Sequence, residues 1–204
     1  RGAWMYFGPR PRLRVAMDPH ALARELLDLP HAERDERLAR IAGTPQSREL
    51  AWALWELSGS AWTREPQRLE EAADCVGLLA LWQGGAELAA LRDWMQGVAA
   101  LVQRQPADAR RLLHKAGTTF TLLSDDHHAA QVLVPLMVAQ ATLGEHGAAT
   151  DTAAMLVDRL ARTSQGYHAS IAALAAARSL AWKADFDAAQ RCMYRPPDSG
   201  LCGR

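Results

Sequence analysis

The sequence predicts an all-α fold, an α-solenoid of stacked antiparallel helix hairpins. Three observations carry that expectation. The composition favours helix and lacks strand periodicity, helix start and stop signals recur along the chain, and small or turn-type residues return every 40 positions.

Ala, Leu and Arg dominate the 204 residues, and all three are strong helix formers. Apolar residues make up 49% of the chain, enough to build a core. No stretch alternates apolar and polar residues for long, so no sheet is expected. Lys plus Arg and Asp plus Glu balance at 23 each. A chain without net charge offers no general field for nucleic acid or anionic lipid, so neither partner is expected.

The helices can be placed by their punctuation. Asp18-Pro19 is an N-cap with Pro at the first helical position, and the stripe Leu22, Leu26, Leu27 runs to Pro30. A second helix spans about His31 to Ala42 and stops at Gly43. Thr44-Pro45 opens a third that runs to about Trp62, and Pro66 opens a fourth that ends at Gly84-Gly85. The fifth covers Ala86 to about Gln103, and the sixth starts at Pro106 and Asp108. Asp126 to Gly144 is the seventh, Glu145 to Arg162 the eighth; Ser164 caps a ninth, and Asp185 to Tyr194 is a short tenth. Pro135 inside the seventh removes one backbone donor, which predicts a bend near Gln131–Pro135 and not a break.

An internal repeat separates a solenoid from a bundle. Ala109, Ala149 and Ala189 form one column with a 40-residue step; Arg104, Gly144 and Ala184 form a second; Gly97, Met137 and Ala177 form a third. Small residues let paired helices approach closely, and a turn residue must leave the helix without strain. Ala149 and Ala109 are therefore expected to be buried where helices meet.

These columns resemble the tetratricopeptide repeat, in which a small residue in helix A is followed by a turn residue seven positions on and an Ala five later. Gly97–Arg104–Ala109 and Met137–Gly144–Ala149 have that spacing, and Ala184-Asp185-Phe186-Asp187-Ala188-Ala189 is similar to the family's turn. The resemblance covers roughly residues 45–194. It departs in period, 40 where the family has about 34, and in lacking the family's Trp and Tyr at several columns. Longer units of this kind look like those of MalT-type activators and of the repeats ahead of CHAT protease domains in bacteria. The segment Leu22-Ala23-Arg24-Glu25-Leu26-Leu27-Asp28-Leu29-Pro30 is similar to the stretch preceding such repeats in CHAT proteins. The expected organisation is a disordered or extraneous leader at 1–16, capping helices at 17–44, a tetratricopeptide-like domain at 45–194 and a disordered tail at 195–204.

Asp125-Asp126-His127-His128 is the densest ligand-type cluster, but adjacent His residues diverge on a helix, and carboxylates at a helix start are caps. His20, His31, His114, His146 and His168 form no HExxH spacing, no GxSxG elbow is present, and Gly84-Gly85 lacks the strand and Lys of a phosphate loop. Cys75, Cys192 and Cys202 form no CxxC pair and fit buried or incidental thiols of a reducing, cytoplasmic compartment. The longest apolar run, Ala169 to Trp182, is broken by Arg178 and is too short to span a bilayer. Ala3–Phe7 is likewise too short for a signal-peptide core. The expectation is no enzyme, no cofactor and no metal.

Binding is the remaining expectation. The resemblance implies that helix A lines a concave groove, and carrying its columns over gives Trp62, then Leu91, Trp94, Val98 and Val102. Gln131, Val134, Val138 and Thr142 follow in the next unit, then Ile171, Leu174, Arg178 and Trp182. Such a surface suits a protein or peptide partner with an apolar or amphipathic segment, or another domain of a longer chain. In that case the effector would be a transcription regulator or a CHAT-type protease outside these residues. Trp94 and Trp182 are expected to be partly exposed, with Leu112 and Leu156 facing the core.

Overall fold

The computed structural model describes residues 18–59 and 66–162. Within them the chain forms eight helices and no strand: α1 (Pro19–Asp28), α2 (His31–Ile41), α3 (Gln46–Gly59), α4 (Pro66–Gln83), α5 (Ala86–Val102), α6 (Pro106–Leu122), α7 (Asp126–Thr142) and α8 (His146–Arg162). The expected ninth and tenth helices lie outside the described residues. From α3 onward each helix packs on the next in sequence, and α3, α5 and α7 also touch one another, alternating with α4, α6 and α8.

The step of this stack is one helix, and so half of the 40-residue unit expected from the sequence. Helix starts fall at Gln46, Pro66, Ala86, Pro106, Asp126 and His146, each 20 residues after the last. Left-handed backbone recurs in phase two residues before four of these starts, at Gly84 (φ 72°), Arg104 (φ 60°), Ser124 (φ 59°) and Gly144 (φ 77°).

The last three of these turns share one hydrogen-bond pattern. Gln105 N–H donates to Ala100 O at 2.8 Å and Arg104 N–H to Leu101 O at 3.1 Å. Asp125 and Ser124 repeat this on Phe120 and Thr121, and Glu145 and Gly144 on Gln140 and Ala141. This is the Schellman closure, which satisfies carbonyls that a helix end otherwise leaves open.

Packing follows the same step. Ala109, Ala129 and Ala149 are all fully buried, which bears out the expectation for Ala109 and Ala149 and fills in the helix between them. Helix α6 buries one stripe, Ala109, Leu113, Ala116 and Phe120, while α5 buries ten residues and is enclosed almost all round. Leu156 is buried as expected, whereas Leu112 is only half-buried. A single apolar cluster runs from Leu22 to Leu160, so α1 and α2 share a core with the repeat. Arg34 fixes that joint. Its buried guanidinium donates to the carbonyls of Leu26 and Leu29, both at 3.0 Å, and meets Glu71 of α4 at 3.3 Å.

Helix α7 continues unbroken through Pro135. The ring removes the donor that would have reached the Gln131 carbonyl, but apolar contacts on both sides, from Val132 and Leu133 to Leu136 and Met137, hold the helix together.

Candidate functional site

An aromatic seam joins the middles of α3 and α5 to the first turn of α7. Trp52 of α3 lies 4.2 Å from the His128 ring of α7, and Trp55 lies 4.0 Å from Trp94 of α5. Phe120 of α6 meets Trp94 edge-on at 6.0 Å. Polar groups hold the rings in place. Trp52 Nε1 donates to Glu87 at 2.9 Å, and Arg48 forks onto the same carboxylate at 2.7–3.0 Å.

Asp125 is the N-cap of α7, as expected for this cluster. It accepts from His128 N at 3.1 Å and pairs with His128 Nδ1 at 2.6 Å. Hydrogen bonds from Arg48 hold the Glu87 carboxylate below its ordinary range against the opposing effect of burial, and Trp52 adds to this. The reciprocal hydrogen bond from Glu87 raises the Arg48 guanidinium. At Asp125 burial works to raise the carboxyl, but the side-chain and backbone bonds from His128 outweigh it and keep it low. Every charge in the seam is thus committed to a neighbour.

Two further buried groups, Cys75 and Asp93, are also accounted for. Burial pushes the Cys75 thiol up to about 12, so it is protonated at neutral pH and packs as an apolar group. Buried Asp93 is held by Arg92 at 2.7 Å and by Lys115 at 2.8 Å. Among the described residues no group of three or more His, Cys, Asp or Glu could hold a metal, and no helix is long and apolar enough to cross a membrane.

The groove columns need correction. Leu91, Trp94 and Val98 are buried, and Trp94, at 2% exposed, is a core indole and not a partly exposed wall residue. The reason is the enclosure of α5: it packs on α3, α4, α6 and α7, and in its middle only Arg92 and Gln96 remain half-buried. Gln131 and Val134 are half-buried, Gln131 sharing a 3.0 Å hydrogen bond with His127 and Val134 packing on the core. Trp62, Arg178 and Trp182 lie outside the described residues, as do Ile171 and Leu174.

What does open is the last turn of the inner helices. Leu101 and Val102 of α5, Arg104 of the following turn, Pro106 at the start of α6, and Val138 and Thr142 of α7 line a shallow cleft of about 420 Å³. Val102, Val138 and Thr142 belong to the expected columns; Leu101, Arg104 and Pro106 do not. Val138 is 45% exposed, and the Thr142 hydroxyl is satisfied within its own helix, donating to Val138 O at 2.8 Å. The lining is therefore apolar, with the Arg104 cation at its rim.

Comparison with known protein families, curated proteins and solved structures finds no match for this chain. The chemistry of the cleft must speak for itself. Its lining residues are Leu101, Val102, Arg104, Pro106, Val138 and Thr142, so its chemistry is that of an apolar surface with one cation.

Proposed function

We propose that this chain is a tetratricopeptide-like scaffold that binds another polypeptide, and that the cleft between the ends of α5 and α7 is where it binds. The observation that carries this reading is the cleft's composition: half-open Val and Leu side chains with one cation beside them. A rigid helical frame leaves such apolar surface in water at a cost, and an amphipathic segment would remove it. An acidic residue on that segment would pair with Arg104.

The Leu22–Pro30 segment supports a further part of the reading, that the scaffold serves as the arm of a larger bacterial signalling protein. Its Leu22, Leu26 and Leu27 are built into the same core as α3 and α4, which suits an integral cap to a repeat array.

The test is selection of displayed helical peptides on the full chain, followed by titration of the selected peptides against Val138→Glu. The expected result is apolar peptides with an acidic position, whose affinity falls at least about tenfold in the variant, an effect of the size an interface anchor carries. Peptides that bind the variant as well as the parent protein would remove the cleft from the proposal.

A further inference from the structure

Arg104 occupies a place that three other interhelical turns give to smaller residues. It has left-handed backbone, φ 60°, where those turns have Gly84, Ser124 and Gly144. The β-carbon of an L-residue crowds the following carbonyl in this conformation, so the turn favours glycine. The backbone bond made there, from Arg104 N–H to the Leu101 carbonyl at 3.1 Å, is made equally by Gly144 to the Ala141 carbonyl at 3.0 Å. The turn itself therefore gives no reason for an arginine.

Contacts within the chain give none either. Among the described side chains, Arg104 is the only Arg or Lys with neither a hydrogen bond nor an ion pair. Nearby carboxylates are taken by other cations: Asp108 pairs with Arg111 at 3.3 Å, and Glu145 pairs with Arg110. Gln103 and Gln105, on either side, carry no charge. Those pairs cancel, so among these described residues the uncompensated charge is that of Arg104. It is exposed, and it lines the apolar cleft together with Val102 and Pro106.

We propose that Arg104 is the specificity-determining residue of the cleft, selecting polypeptide segments that carry Asp or Glu beside their apolar anchors, at a cost to the stability of the fold. Charge complementarity sets the chemistry of the partner, since the forked N–H groups of a guanidinium match the two oxygens of a carboxylate. Strained backbone with no compensating contact inside the fold is a mark of residues that act on a ligand. The assignment rests on the cleft reading above and adds a division of roles to it. Val102 and Val138, in the apolar lining, govern how long a bound segment stays. Arg104, in water at the rim, governs how fast one arrives, because a rim charge steers the encounter and is screened by salt.

Selection of displayed helical peptides on three forms of the full chain tests this: the parent, Arg104→Gly and Arg104→Glu. Peptides retained by the parent should be enriched in Asp and Glu beside their apolar positions. Arg104→Gly should keep the apolar positions and lose the acidic one, and Arg104→Glu should select Lys or Arg there. The parent's peptides should associate with Arg104→Gly at least about threefold more slowly at low ionic strength, and at nearly the parent's rate at high ionic strength. Arg104→Gly should at the same time melt at a higher temperature, since strain is relieved and no internal contact is lost. Equal acidic enrichment on all three forms would overturn the assignment and leave the cleft in place, and so would a lower melting temperature for Arg104→Gly. Retention of no peptide by any form would overturn the cleft reading and this one with it.

Discussion

Gly97 of α5 and Leu113 of α6 are in contact so close that a β-carbon on Gly97 would lie 2.6 Å from Leu113 Cγ and 3.3 Å from its backbone nitrogen. The glycine is therefore a spacing device that sets how near the two helices come. Gly117, one step along, has more room, its added β-carbon meeting Val132 Cγ1 at 3.6 Å, an ordinary contact. The two positions should respond oppositely to one substitution. Gly97→Ala is expected to cost about 1–3 kcal/mol through overpacking. Gly117→Ala should gain about 0.5–1 kcal/mol from lower unfolded-state entropy and better helix propensity. Chemical denaturation of the two variants measures both, and a stabilised Gly97→Ala would show that α5 and α6 are less closely held.

The Schellman turns give a second pair. Ser124 has φ 59°, a conformation that costs an L-residue about 1–2 kcal/mol, whereas Gly144 occupies the equivalent place without that cost. Ser124→Gly should raise stability by about 1 kcal/mol, and Gly144→Ala should lower it by a similar amount. No atom lies within 4 Å of a β-carbon added at Gly144, so backbone strain alone would act. Thermal unfolding decides it; two variants shifting the same way would refute the shared turn.

Helix ends were readable because their signals are local. Asp18-Pro19, Pro30, Gly43, Pro66, Pro106 and Asp125 each act within one turn of chain, and every one of them flanks or opens an observed helix. The 20-residue spacing of successive helices within the 40-residue hairpin is harder to see, since the turn positions hold unlike residues: Arg104, Ser124 and Gly144 share a backbone shape. The open face was hardest. Helix α5 is apolar on so many sides that no periodicity distinguishes wall from core, and Trp94 belongs to the core. Only the contact of α5 with α3 and α7 reveals that its middle is closed and its last turn open.

Pro135 offers a direct measure of strain carried by the repeat. A proline inside a helix costs about 3 kcal/mol relative to alanine, and the lower freedom it gives the unfolded chain returns about 0.4–1 kcal/mol. Pro135→Ala should accordingly stabilise the protein by about 2 kcal/mol, read as a melting temperature several degrees higher. Amide exchange at the same position would show the new N–H protected by the Gln131 carbonyl. A lower melting temperature would mean that the ring's own packing, in its half-buried site between Val134 and Leu136, outweighs the lost hydrogen bond.

The pairing of Arg48 with Glu87 makes the aromatic seam sensitive to acid, and the sign follows from the direction of the shift. Glu87 is held below its ordinary value of 4.5 in the folded protein, chiefly by the Arg48 hydrogen bonds. A depressed carboxyl binds fewer protons when folded than when unfolded, so its stabilisation is complete above the unfolded value. It is lost as pH falls below the ordinary carboxylate range and through the folded value. Asp125, held below 3.8 despite its burial, contributes in the same direction. Glu87→Gln should therefore lower the melting temperature at pH 7, where the charge is fully engaged, and the two proteins should converge as pH approaches 3. Because Trp52 donates to the same carboxylate, its fluorescence should shift over that interval in the parent protein and stay flat in the variant. Melting curves that remain parallel from pH 7 to pH 3 would show that Glu87 contributes through its shape in the packing and not through its charge.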